Sequence, residues 1–232
     1  MPTPRCVIVT GGTGALGQVV TAAFLAQGNC VVVPWVAKSE RDALARSQGP
    51  ALDHGRLILV EADVAEESGA QAVVGAAPDS GPDALVNGVG GFAGGSPLHE
   101  TELEVWDRMY RMNVRTAVAM TRAVLPGMLA RNQGSVICVA SQAALTRPAG
   151  LAAYSAAKAG VQVLTETVQR ELAGSAVRIN ALAPGTIDTP ANRAAMPAAD
   201  PSTWTPPARI AEVILWLASP AAAAIRGATL PV

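Results

Sequence analysis

Long uncharged apolar runs are missing from this 232-residue sequence: no stretch of about 18 such residues occurs, so nothing in it reads as a membrane span. The opening MPTPR has no apolar core of the kind a secretory signal carries, and a soluble, cytoplasmic chain is expected. Basic clusters are missing too. Lys and Arg total 17 against 18 Asp and Glu, a net charge of −1, which argues against nucleic acid or an anionic membrane surface as partner. Cysteine is scarce. Cys6, Cys30 and Cys138 are scattered, each in a Val/Ile-rich run, and are expected as reduced core residues, with neither a disulfide framework nor a metal site. Internal repeats and low-complexity linkers are absent.

What is present is apolar bulk, since half the residues are hydrophobic, enough to bury a large core in one domain over residues 1–232. Strand-like and helix-like segments alternate along the whole length. That alternation predicts an α/β fold, a doubly wound parallel sheet with helices on both faces. Seven strands are expected: CVIVT from Cys6, CVVVPW from Cys30, RLILVEA from Arg56, DALVNG from Asp83, SVICVAS from Ser135, VRINALAP from Val177 and a terminal ATLPV. The longest helix is expected to open on a capping box, Thr101-Glu102-Leu103-Glu104, and to run to about Arg131 with a kink at Pro126. The Ala/Pro-rich piece from Met196 to Pro207 is the one expected flexible loop.

Gly12, Gly14 and Gly17 follow the first strand and open an amphipathic helix, Leu16 to Gln27. A lone G-x-G-x-x-G means little, but strand before and helix after are the context a dinucleotide-binding turn requires. Glycines let backbone N–H groups approach a pyrophosphate, whose charge is favoured at a helix N-terminus.

Further along, SQAALTRPAGLAAYSAAK puts Ser141 thirteen positions before Tyr154 and Lys158 four after it. The Ala-rich surroundings favour helix, so the i, i+4 spacing places phenol and ammonium on one face. A phenol titrates at roughly 10 unperturbed. A neighbouring cation is therefore expected to lower the Tyr154 pKa and fit it for acid-base work near neutrality. Ser141 emerges at the end of a strand, where its hydroxyl can hold a carbonyl oxygen beside Tyr154.

These residues resemble the short-chain dehydrogenase/reductase family, and the likeness extends over residues 5–232. The family pattern TGxxxGxG is met by Thr10, Gly11 and Gly17, with Ala15 in place of the middle glycine. The resemblance implies that Gly11, Gly12, Thr13, Gly14, Ala15 and Leu16 border the cofactor's phosphates, and that Asp63 with Val64 meets the adenine. Asn87-Gly88-Val89-Gly90 takes the place of the family's NNAG, with Asn87 and Gly88 close to the cofactor. Pro184-Gly185-Thr186-Ile187-Asp188-Thr189 matches PGxIxT, which implies that Pro184, Gly185, Ile187 and Thr189 border the nicotinamide end. Tyr154 is then the proton donor or acceptor and Lys158 the holder of the nicotinamide ribose. Ser141 polarises the substrate oxygen, and Asn113 belongs to a water-linked proton relay with the lysine. The implied reaction is hydride transfer between a nicotinamide and a carbonyl or alcohol. Residues 188–207 become the substrate lid.

An acid at the end of the second strand would select NAD. Trp35 stands there instead, with Lys38 and Arg41 close behind, so NAD(P) is expected with a lean to NADPH. Gly90–Gly95 (GGFAGG), the GGTGALG turn and the segment 188–207 also resemble dihydropteridine reductase, whereas Ser141 and PGTID are those of ordinary carbonyl reductases. A quinonoid dihydropterin is thus the alternative substrate, and a non-catalytic dinucleotide-binding regulator the alternative of another class. The family resemblance further implies a homodimer or homotetramer, pairing through the long helix and the Tyr154 helix, whose small residues include Ala152, Ala153, Ala156, Ala157, Ala159 and Gly160. Relatives continue into a terminal loop past the position of Val232.

Overall fold

Continuous Val/Ile runs are strands that cannot leave either face in water, and each has found a place in one parallel sheet. A computed structural model describes residues 5–232; the opening residues 1–4, read above for their lack of a signal core, lie outside it. The strands are β1 Cys6–Thr10, β2 Cys30–Trp35, β3 Leu57–Glu61, β4 Ala84–Asn87, β5 Ser135–Val139, β6 Arg178–Ala183 and β7 Thr229–Pro231. They lie in the order β3-β2-β1-β4-β5-β6-β7, every pair parallel. The order reverses between β1 and β4, and the crevice above their carboxyl ends is where such sheets take ligands. Neighbouring residues of β1 serve opposite faces: Ile8 belongs to one core, Val9 to the other. No helix among the described residues is long and apolar enough to cross a membrane.

The helices are α1 Ala15–Ala26, α2 Lys38–Ser47, α3 Gly49–Asp53, α4 Glu67–Gly75, α5 Leu103–Tyr110, α6 Thr116–Ala130, α7 Ala143–Thr146, α8 Ala152–Glu171, α9 Pro190–Ala195 and α10 Pro207–Ala218. Between α5 and α6 the chain stays helical but widens into a π-helical stretch, Arg111–Arg115. The long helix predicted from sequence is therefore continuous, and its irregularity falls upstream of Pro126, which lies inside α6. The predicted capping box does not form. Thr101 instead donates its hydroxyl to Pro97 O at 2.9 Å, because a 3₁₀ turn at Leu98–Glu100 precedes it, and α5 starts at Leu103 without a side-chain cap.

Two further features go beyond the expectations. Cys6 and Cys30 are 24 residues apart in sequence yet register partners on β1 and β2, and their thiols hydrogen-bond. Burial, reinforced by Cys30 and Asp83, pushes the Cys6 thiol up to about 12, which keeps it protonated and inert. The small residues of α8 are not one outer face: Ala153 and Ala157 are buried, while Ala152 and Ala156 are exposed.

One buried charge braces the far end of the fold. Arg178, 6 % exposed, donates from β6 to Leu217 O at 2.9 Å and to Ser219 O and Ala222 O at 3.1 Å. Those carbonyls lie at and beyond the C-terminal end of α10, where a cation suits the helix dipole.

Candidate active site

The floor of the crevice is bare backbone. Gly11 sits at φ +67°, and a Cβ there would stand 2.8 Å from the carbonyl carbon and oxygen of Gly88 and 2.9 Å from Val89 N. Thr10 tightens the same junction, accepting at its hydroxyl from Gly88 N at 3.1 Å and donating to Val86 O at 3.3 Å. Helix α1 begins at the next turn, with Gly14 as N-cap, no side-chain cap and no acid in its first turn. Its leading N–H groups therefore suit an anion. Ala15, where the family pattern has glycine, is exposed, and Gln18 donates to Thr13 O at 2.7 Å. Gly12 is buried and Leu16 half-buried behind this turn. A cradle built without side chains fits a dinucleotide pyrophosphate.

At the end of β2 the Trp35 ring lies under the Arg41 guanidinium, 4.9 Å from its centroid, and Arg41 also meets Asp42 at 3.1 Å. Lys38 opens α2 and is exposed. An acid does come to the turn: Thr13 donates its hydroxyl to Glu40 at 2.8 Å. In sequence Glu40 is indistinguishable from the solvated face of a helix, and only the fold brings it to the glycine-rich turn.

Asp63 follows β3 and accepts from Ala65 N at 2.9 Å and from Arg111 at 2.8 Å; Val64 is buried beside it. Asn87 ends β4, donating to Thr121 at 3.0 Å, while its buried side-chain oxygen has no partner among the described residues. Past β6, Pro184 O accepts from Gln142 N at 2.9 Å and Gly185 N donates to Val232 O at 3.0 Å, joining this loop to the residue after Ser141. Ile187 bridges to Thr205 in a parallel pairing. Thr189 caps α9, its hydroxyl accepting from Asn192 N at 3.2 Å. The segment read as a flexible loop is thus well bonded. Within Met196–Pro207, Asp200 accepts from Ser202 N at 2.9 Å, Trp204 N reaches Pro201 O at 3.1 Å, Thr205 N reaches Thr186 O at 2.8 Å, and Trp204 is buried; just before it, Asp188 pairs with Arg193.

Ser141 and Tyr154 come together, and Lys158 lies one turn beyond Tyr154 on α8. Ser141 stands just beyond β5, accepts from Ala143 N at 3.2 Å and hydrogen-bonds the Tyr154 phenol. Lys158 is buried, and its ammonium donates to Val139 O at 2.8 Å. A Cβ on Gly90 would stand 2.8 Å from Asn113 Oδ1 and 3.1 Å from Lys158 Nζ, so a larger residue there would have to displace these two side-chain ends. Asn113, 2 % exposed, donates to Gly91 O at 3.1 Å and Met109 O at 3.0 Å and accepts from Gly91 N at 3.3 Å. The Phe92 ring meets Tyr154 edge-on, centroids 5.0 Å apart, and stays 67 % exposed.

The expected depression of the Tyr154 pKa is not found. Burial raises it, and the Ser141 hydrogen bond is the one influence pulling it down. Burial likewise pushes Lys158 down from 10.5 to about 8. Between those values the folded chain binds fewer protons at this group than the unfolded one, so its cost to stability is full below pH 8 and relieved as pH rises. Relative to Lys158→Met, the native protein should therefore gain about 2 to 3 kcal/mol of unfolding free energy from pH 7 to pH 10. Denaturant titrations at both values test this, and a pH-independent difference would contradict the buried ammonium.

A family model described as short chain dehydrogenase matches residues 5–200. The chain is 32 % identical to 2-(R)-hydroxypropyl-CoM dehydrogenase of Xanthobacter autotrophicus, over 97 % of its own length and 96 % of that protein's. It is 33 % identical to an NADP-dependent 3-hydroxy acid dehydrogenase of Escherichia coli, over 78 % of this chain and 72 % of that one. Among solved structures it superposes on a closed serine dehydrogenase complexed with NADP+ with a TM-score of 0.85 and 27 % identity, covering 98 % and 94 % of the two chains. These likenesses favour alcohol and carbonyl chemistry over a pterin reductase or a silent binder.

Proposed function

The chain belongs to the short-chain dehydrogenase family, an NAD(P)-dependent oxidoreductase acting on alcohol or carbonyl groups, and from that premise we propose that Ser141, Tyr154, Lys158 and Asn113 are its working residues. One observation carries the reading: the Ser141 hydroxyl bonds the Tyr154 phenol beside a buried Lys158. When bound in this crevice, a nicotinamide would give a hydride to the carbonyl carbon in reduction and take it from the alcohol carbon in oxidation. Tyr154 holds the proton at its phenolic oxygen and passes it to the substrate oxygen in reduction, or takes it in oxidation. Ser141 donates to that same oxygen and fixes its place. Lys158 anchors the nicotinamide ribose, and Asn113 holds the Gly91 backbone against α5 so that the proton path beside Lys158 keeps its shape.

Gly11, Gly12, Thr13, Gly14, Ala15 and Leu16 are the phosphate cradle; Asp63 and Val64 take the adenine; Asn87, Gly88, Pro184, Gly185, Ile187 and Thr189 border the nicotinamide. NADPH is the favoured form. No acid stands at Trp35, Lys38 is exposed, and relatives named above use NADP. The chain acts as a single cytoplasmic domain with residues 188–207 as its lid. It pairs as a homodimer or homotetramer through α5, α6 and α8, where Val118 and Val163 are exposed.

Consumption of NADPH and NADH with aldehydes, ketones, 3-oxo acids and quinonoid dihydropterin tests the reading. Carbonyl-dependent consumption, faster with NADPH at limiting cofactor, is expected. Binding of either dinucleotide with no turnover would overturn the assigned chemistry, and preference for NADH would overturn the cofactor choice.

A further inference from the structure

The π-helical stretch Arg111–Arg115 is bounded by two arginines, and both reach the same turn. Arg111 donates to Asp63 at 2.8 Å and pairs with Glu66 at 2.9 Å. Arg115 donates through Nε to Ala65 O at 2.7 Å and lies 3.4 Å from the second oxygen of Glu66. Midway between them, on the buried side, Asn113 grips Gly91 beside Lys158. A π turn is an uncommon helical form that interrupts the regular ladder and leaves some carbonyls without their usual donors. Here side chains serve those carbonyls, Asn113 at Met109 O and Thr116 at Met112 O, the latter at 2.8 Å.

We propose that Arg111 and Arg115 form a bracket that ties the adenine-side turn Asp63–Glu66 to the π stretch, making them positioning residues for both adenine recognition and the placement of Asn113. The proposal rests on the adenine role assigned to Asp63 above. A carboxylate that accepts from Ala65 N at one oxygen and from Arg111 at the other is held at both ends, and one lone pair on each oxygen remains to accept. That acceptor suits the exocyclic amine of adenine. It disfavours hypoxanthine, which presents an oxygen at the same position. The arginines are half-exposed, and single exposed ion pairs contribute little to stability. Their effect is therefore expected in geometry and not in folding.

The test is a fluorescence titration of native protein, Arg111→Met, Arg111→Lys and the double Arg111→Met/Arg115→Met variant with NADPH and with its hypoxanthine analogue, alongside kcat at saturating NADPH. Native protein should prefer adenine by about tenfold or more, the scale of one hydrogen bond to a charged acceptor. Arg111→Met should bring the preference below about threefold, with Arg111→Lys restoring part of it. The double variant should also lose about tenfold in kcat, since the π stretch that carries Asn113 loses both of its ties to the turn. Arg122→Met removes the neighbouring exposed pair with Glu67, which joins α6 to α4, and should change neither quantity.

Retained adenine preference in Arg111→Met overturns the proposal. So does a double variant with native kcat, which would separate the turn from the π stretch. Equal affinity of native protein for the two analogues removes the adenine role of Asp63 and this proposal with it. Oxidoreductase chemistry is read separately, from carbonyl-dependent NADPH consumption.

Discussion

Tyr154→Phe should slow carbonyl reduction by about 10²- to 10⁴-fold, the range lost with an acid-base group. The phenyl ring that remains keeps the edge-on contact with Phe92 and the packing of α8, so folding and NADPH affinity should stay within about threefold of native. Steady-state rates and a fluorescence titration on the same preparation separate the two effects. A phenol raised by burial stays protonated at neutral pH, which suits it to give a proton to a carbonyl oxygen. Undiminished turnover in the variant would remove Tyr154 from the chemistry. Equal losses in rate and cofactor affinity would make it a binding residue.

Arg178→Met should cost about 3 kcal/mol of stability while leaving the crevice intact. Three carbonyls, of Leu217, Ser219 and Ala222, lose a charged donor, and hydrogen bonds to a charged group contribute about 1.5–3 kcal/mol. Leu217 O keeps the Ser135 hydroxyl at 3.0 Å, Ser219 O keeps Ala222 N at 3.3 Å and Ala222 O keeps Ile225 N at 2.9 Å, so what each loses is its charged donor. Melting should move down by roughly 6–12 °C for a chain of this size. A change under 2 °C would mean that water serves those carbonyls as well as the guanidinium does.

Legibility in the sequence followed the range of the interactions. The parallel sheet was readable because buried Val/Ile runs such as Val31 to Val33 have few other uses, and the Ser141, Tyr154, Lys158 set because its spacing is local. The direction of the Tyr154 pKa was not. An i, i+4 spacing puts two side chains on one helical face, but it does not say that the Lys158 ammonium turns to the Val139 carbonyl or how much water burial removes. Thr101 shows the same limit, since its motif is right and a preceding 3₁₀ turn claims its hydroxyl. Glu40, Arg111 and the Cys6–Cys30 pairing were invisible because each partner comes from a distant strand or turn. Polar residues on exposed helices look alike until the fold brings something opposite them.

Where Gly11 meets Gly88, main chain lies against main chain with no side chain on either side. In most of a core, a residue that grows can be accommodated by a neighbour that shrinks, so lineages drift through compensated pairs. At this junction there is nothing left to shrink. Any side chain gained at position 11 must move β1 relative to β4, so the two turns are fixed jointly and no second substitution reopens either. A larger residue at position 11 can be answered only by moving backbone, which makes this contact a fixed reference for everything built above the crevice.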